Sequence, residues 1–285
     1  MGRLIRLAFS PDSDDLFMFW PLLSGHVSDP DFRFVSERAD TQALNERAAV
    51  VQDDVIAISI ARYATVSEAY LLLPHGMSIG RGYGPAIVSL QGRSLESLRG
   101  ARIGVPGLHT TAYWVLRMLV PEFFPVVIPI APFSRVFDAL RTGVVDAALV
   151  IHEGRLTFAD EDFSLVGDLG ILWAELTLGL PLPLGGNAIR RSLGDDCITR
   201  VSDLCRRSIE WALEHREQVM VELALAEGRA DVALTPTQLD QYLSMYANED
   251  TRAMRADVQL AIEQLLSRGY DARLCEARVL PEFAP

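Results

Sequence analysis

Apolar residues follow two alternating rhythms along this chain: short unbroken runs, and stretches where they return every three or four positions. The run at residues 4–9 reads as a strand and stops at Ser10-Pro-Asp-Ser-Asp-Asp15, a turn-rich acidic loop. Residues 16–23 then have helix-compatible spacing that ends near Gly25. Residues 32–35 predict a second strand, Thr41–Ala49 a helix capped by Asp40 or Thr41, and Val55–Ser59 a third strand. Strand, helix, strand, helix, strand is the grammar of a parallel sheet with helical crossovers.

The grammar returns further on. Residues 133–142 predict a helix with Val136, Phe137 and Leu140 on one face, closed by Gly143, and Asp146-Ala-Ala-Leu-Val-Ile151 supplies the next strand. Laid over Asp54-Val-Ile-Ala-Ile-Ser59, the two helix–turn–Asp–strand units match in kind, although the repeat is too weak for a solenoid. Chance similarity between α/β units is the alternative. The favoured arrangement is two α/β lobes facing each other, with Ser59 and His152 near equivalent strand ends. Gly80-Arg-Gly-Tyr-Gly-Pro85 and Gly179-Leu-Pro-Leu-Pro-Leu-Gly-Gly186 are the expected crossings, both punctuated as hinge-bearing segments often are. The rest predicts helices: one capped by Asp195 or Asp196, with Ile198, Val201, Leu204, Cys205 and Ile209 along one face, then residues 217–227 and 254–268, the last stopped at Gly269. The expected layout is a discontinuous first lobe, residues 1–86 and 188–285, and a continuous second lobe, residues 87–187. It resembles the two-lobed periplasmic-binding-protein fold.

Composition narrows the function classes. With 285 residues and 49% hydrophobic content, the chain has material for two well-buried lobes. A formal net charge of −12 argues against nucleic acid or an anionic membrane surface as partner, but leaves room for a small anion held by local donors. The N-terminal stretch is read as a first strand, not an export signal, and no run reaches the roughly 18 apolar residues of a membrane span. Cys197, Cys205 and Cys275 are scattered and lack metal-ligand spacing, so they are expected to be buried thiols in a reducing cytoplasm.

Candidate chemistry gathers at strand ends, where ligands of open α/β sheets sit and helix N-termini offer unpaired N–H groups to anions. In Val105-Pro-Gly-Leu-His-Thr-Thr-Ala-Tyr113 the chain turns at Pro106-Gly107 and opens a helix with Thr110 and Thr111, which suit both capping and an anionic ligand. In Val150-Ile-His-Glu-Gly-Arg155, His152 stands where the strand gives out; a neutral imidazole there suits proton abstraction near pH 7. Ser59 is a candidate ligand contact. Of Ser10 and Asp15, one is expected to cap the first helix and the other to face the cleft. Arg81 pairs either with a substrate carboxylate or with backbone carbonyls. His109 reads as a loop residue, and Glu153 is assigned no role in orienting His152. Asp160-Glu-Asp162 reads as a solvated loop without a histidine partner for a metal, and Gly80, Gly82 and Gly84 do not follow the strand-to-helix pattern of a dinucleotide fingerprint. No metal and no cofactor are expected.

Ser10-Pro11 with Asp15 and Phe17, the Gly80–Pro85 motif, the His-Thr-Thr motif, Ile151-His-Glu-Gly-Arg-Leu-Thr157 and Gly179-Leu-Pro-Leu-Pro-Leu-Gly185 together resemble the 1,4-dihydroxy-6-naphthoate synthase family of the futalosine route to menaquinone. The matches occur in order across most of the chain. The resemblance implies a cytoplasmic, cofactor-free lyase on a type II binding-protein fold, acting on cyclic dehypoxanthinylfutalosine, a small anionic cyclic substrate. It also implies that His152 is the base and that Ser59, Thr110 and Thr111 hold the ligand. One departure stands out: the family's first loop commonly reads Ser-Pro-Cys-Pro-Asn-Asp-Thr-Phe, whereas this chain has Ser10-Pro-Asp-Ser-Asp-Asp-Leu-Phe17. That opens the question of what Asp12 and Asp14 do. The rivals are a chorismate dehydratase-like enzyme of the same pathway and a cytoplasmic solute-binding protein, since a fold does not decide a function. The sequence leaves the oligomeric state open.

Overall fold

The computed structural model of the protein describes residues 2–130, 132, 134–152, 154–226 and 235–285. Phe133, Glu153 and Glu227, which figure in the sequence reading, lie outside the described residues. In chain order the first elements are β1 (Arg3–Phe9), α1 (Ser13–Ser24), β2 (Phe32–Arg38), α2 (Thr41–Ala49), β3 (Val55–Ser59), α3 (Ile60–Val66), β4 (Tyr70–Leu72) and β5 (Ser78–Gly80). Then follow β6 (Ala86–Ser89), β7 (Arg102–Val105), α4 (Thr111–Leu119), β8 (Phe124–Val127), α5 (Ser134–Arg141), β9 (Ala147–Val150), α6 (Gly154–Thr157), β10 (Ser164–Asp168) and α7 (Leu169–Thr177). The chain closes with β11 (Leu182–Arg190), α8 (Asp195–Glu214), α9 (Arg216–Ala226), α10 (Pro236–Tyr246), α11 (Glu249–Arg252) and α12 (Ala256–Asp271).

Two sheets result. The first runs β2-β1-β3-β11-β4, with β5 also paired to β11; the second runs β10-β6-β9-β7-β8. In the first sheet β1, β2 and β3 are parallel, as the strand–helix alternation requires, whereas β11 enters antiparallel to β3, β4 and β5. In the second, β7, β8 and β9 are parallel while β6 and β10 run against their neighbours. Both sheets are therefore mixed. Two of the antiparallel strands adjoin the passages between the lobes: β6 follows the first crossing, and β11 occupies much of the second, from Leu182 onward.

Each sheet has its own core, and one apolar cluster joins them. It includes Ile58, Ile60 and Tyr63 from the first lobe, Ile103, Trp114 and Leu149 from the second, and Trp173 and Leu265 from the helices alongside. Gly269 belongs to this seam. The sequence reading ends a helix there, yet α12 runs through to Asp271; the glycine stands there because a Cβ would come within 2.2 Å of the Trp114 ring. The glycine is a close-packing residue and not a stop.

The crossing at residues 80–85 has the same character. A Cβ on Gly80 would meet the Tyr83 carbonyl oxygen at 2.0 Å, and one on Gly84 would meet the Gly170 nitrogen at 2.6 Å. Only Gly82 there has a positive φ, +75°. Among the described residues, no helix is long and apolar enough to cross a membrane.

Candidate active site in the cleft between the sheets

The carboxyl ends of β1, β3 and β9 and the start of α4 converge on one cavity of about 790 Å3, counting the space open to solvent. Ser10, Asp15, Ser59, Thr110, Thr111 and His152 all line it, together with Asp14, Thr41, Ser78, Arg155, Tyr242 and Tyr246.

Arg81 does not. Its guanidinium is taken up by Asp250 and Asp257, with Nη1 2.6 Å from Asp257 Oδ2 and Nη2 2.7 Å from Asp250 Oδ1. Pairing with these two carboxylates holds its pKa above the usual guanidinium range. It ties the first crossing to α11 and α12, which corrects its assignment to the substrate. The cavity's arginine is Arg155, three residues after His152. It donates to the Gly84 carbonyl and to Asp168, so it braces the second lobe's loop against the crossing.

His152 follows β9 with φ +53°, a left-handed backbone conformation uncommon outside glycine and often stored at functional positions. Its side chain is 21% exposed. The imidazole meets groups of the first lobe: Nε2 lies 2.9 Å from Thr41 Oγ1, and Nδ1 lies 3.0 Å from Asp12 Oδ2 and 3.4 Å from the Tyr242 hydroxyl.

The hydroxyls on the cavity wall are held in set roles. Thr110 is the N-cap of α4: its Oγ1 accepts from the Tyr113 N–H at 3.2 Å and donates to the Gly107 carbonyl at 2.9 Å. Thr111 Oγ1 reaches across the seam to accept the Ala61 N–H at 3.1 Å, which satisfies a backbone donor at the start of α3. Ser59 Oγ accepts from Asn45 Nδ2 at 3.1 Å, while Asn45 Oδ1 accepts the Ser59 N–H. With the oxygens of Ser59 and Thr111 already accepting from protein N–H groups, their O–H groups are the donors available to a ligand oxygen.

Neither Ser10 nor Asp15 caps α1, contrary to the expectation that one would. Asp12 occupies the cap position without a side-chain cap bond. Ser10 Oγ accepts the Asp12 N–H at 3.1 Å, and Asp15 Oδ2 accepts the Ser10 N–H at 2.8 Å. The acidic loop is folded inward: Asp12, Asp14 and Asp15 are all buried. Asp14 accepts from Ser78 Oγ at 2.9 Å and from the Tyr242 hydroxyl at 3.2 Å. Burial, reinforced by the charge of Asp12, raises the Asp14 pKa; burial beside Asp14 pushes Asp15 up to about 8. Both shifts favour the protonated carboxyl over the charged one.

Sequence reasoning missed Thr41 as a site residue, Asn45 as the anchor of Ser59, and the whole of α10 with Tyr242 and Tyr246. The signal for α10 was available. Thr235-Pro-Thr-Gln238 forms a reciprocal capping box with proline in the first turn. Asp40, not Thr41, caps α2, which leaves the Thr41 hydroxyl for His152. His109 lies outside the cavity lining, and its carbonyl accepts weakly from Asn45 at 3.4 Å. Cys197 and Cys205 are buried and Cys275 half-buried, all as free thiols. No group of three or more metal-ligating side chains occurs among the described residues.

Two α/β lobes joined by two crossings, with a cleft at their strand ends, define a protein of the periplasmic-binding-protein class of folds. The alkanesulfonate-binding protein SsuA from Xanthomonas axonopodis pv. citri, bound to MOPS, superposes with a TM-score of 0.72 over 98% of this chain and 97% of its own, at 16% identity. A protein of Archaeoglobus fulgidus superposes more closely, with a TM-score of 0.84 and 36% identity over 95% of this chain and 98% of that one. The menaquinone-biosynthesis family model matches residues 5–271, and the chain belongs to that family. Two curated relatives carry the name 1,4-dihydroxy-6-naphthoate synthase. The one from Thermus thermophilus is 39% identical, over 76% of this chain and 77% of its own length. The one from Streptomyces coelicolor is 34% identical, over 93% of this chain and 92% of its own.

Proposed function

We propose that this protein is a 1,4-dihydroxy-6-naphthoate synthase: a cytoplasmic lyase that takes cyclic dehypoxanthinylfutalosine into the cleft, with His152 as the base that starts carbon–carbon cleavage and aromatisation. The observation that carries the reading is the placement of His152. It lines the cleft cavity at the strand ends, with Nε2 beside the Thr41 hydroxyl.

The donor set suits an anionic, oxygen-rich ligand. The O–H groups of Ser59 and Thr111 and the N-terminus of α4 face the cavity as donors. Asp15, whose burial disfavours its charge, lines the same cavity and weakens the repulsion an ionised carboxylate would exert there. The membership of a menaquinone-biosynthesis family and the names of the curated relatives favour this chemistry over passive solute binding.

The test is incubation of purified protein with cyclic dehypoxanthinylfutalosine and, separately, with chorismate, followed by mass spectrometry. The reading expects 1,4-dihydroxy-6-naphthoate from the first and no conversion of the second. Turnover of chorismate alone would transfer the protein to the dehydratase reading.

A further inference from the structure

Three first-lobe groups surround the ring of a second-lobe histidine. Asp12 follows β1, Thr41 opens α2 and Tyr242 belongs to α10, while His152 follows β9. Their chemistry favours one tautomer of the ring. The Asp12 carboxylate, 3.0 Å from Nδ1, can only accept when ionised. The Tyr242 hydroxyl donates to Asp14 Oδ1, so it turns an oxygen lone pair toward Nδ1 at 3.4 Å. The tautomer that suits these neighbours carries its proton on Nδ1, beside the Asp12 carboxylate at ion-pair distance, and leaves the Nε2 lone pair, 2.9 Å from the Thr41 hydroxyl, as the site able to take a proton.

We propose that Asp12 is a positioning residue for His152: it holds the Nδ1 proton from the opposite lobe, so that the base is assembled only when the lobes meet. The proposal rests on His152 being the base. It also gives a role to a buried carboxylate of the acidic first loop. An opposite charge at this distance stabilises the imidazolium formed on proton abstraction.

Among the described residues, Asp14 and Tyr242 are further titratable groups near the ring, and they hydrogen-bond each other. Arg155, on the same segment as His152, is engaged by Asp168 and the Gly84 carbonyl.

The test is nuclear magnetic resonance of the His152 ring in ligand-free, 15N-labelled protein, comparing wild type with Asp12→Asn and Asp12→Glu, alongside steady-state kinetics. Wild type should show the Nδ1-protonated neutral tautomer. Asp12→Asn should lower the pH at which His152 titrates by about one unit or more, and Asp12→Glu should restore part of it. In kinetics, Asp12→Asn should lower kcat at least about tenfold with KM little changed, the sign of an interaction made in the transition state. The same titration in wild type and Asp12→Asn would overturn the proposal. So would an Nε2-protonated tautomer in wild type, a reading that needs no variant to fold. Because the resonance arm uses no substrate, it separates the two claims: a normal Asp12 effect on His152 with no turnover would count against the proposed reaction and not against the pairing.

Discussion

Asp15 is the residue whose environment should be easiest to read from outside. Its folded-state pKa, about 8, lies far above the usual carboxylate value near 4, because burial and the neighbouring Asp14 disfavour its charge. Between those two pH values the folded protein holds a proton that the unfolded chain has released. Its contribution to stability is therefore full below about pH 4 and declines as the pH rises through 8. Asp15→Asn keeps an acceptor for the Ser10 N–H and removes the titration, so its denaturation midpoint should fall less than that of wild type between pH 5 and 8. Parallel pH profiles of chemical denaturation for the two proteins would show that Asp15 titrates normally. His152 was legible at this scale because a histidine closing an apolar strand run is a short-range signal. Arg81 was not: its fate depends on Asp250 and Asp257, well over a hundred positions away in the sequence, and nothing near Gly80 announces them.

At the scale of elements, the apolar rhythm located most strands and helices, since burial imposes its period directly on the sequence. It could not give strand direction. A run such as that of β6 or β11 reads the same whether its neighbours are parallel or antiparallel, and pairing is decided by where the chain crosses between lobes. Helix starts carry the more local information. Thr110 caps α4, and Thr111 satisfies the start of α3 in the other lobe, so the pair joins local capping to the interlobe seam. Thr110→Val should cost about 1 kcal/mol through loss of the cap. Thr111→Val should cost about 1–3 kcal/mol, because it strands the buried Ala61 N–H, and it should weaken ligand binding as well. Urea denaturation and calorimetric titration of each variant measure the two effects. Wild-type stability in both variants would reduce the hydroxyls to ligand contacts alone.

At the scale of the whole molecule, the lobes meet along two kinds of surface. The seam around Trp114, Trp173 and Leu265 is apolar and close-packed, with Gly269 admitting the Trp114 ring, so it is suited to act as the pivot. The cleft is polar at its closing edge, where His152 meets Asp12, Thr41 and Tyr242. Opening would break the polar contacts and spare the seam, a hinge-type motion that leaves each lobe's packing intact. With those contacts already made, the ligand-free protein should keep its lobes together: small-angle scattering should give nearly the same radius of gyration with and without ligand, with circular dichroism constant. A marked compaction on ligand binding would mean that the ligand-free cleft stands open. The central claim is that this cleft carries out the synthase reaction with His152 as its base. The most direct measurement is the rate of 1,4-dihydroxy-6-naphthoate formation at saturating cyclic dehypoxanthinylfutalosine, in wild type and in His152→Asn side by side. The account expects product from wild type and a rate lower by roughly two to four orders of magnitude in the folded variant, the usual worth of general base catalysis; no product from wild type, or equal rates in the two proteins, would contradict it.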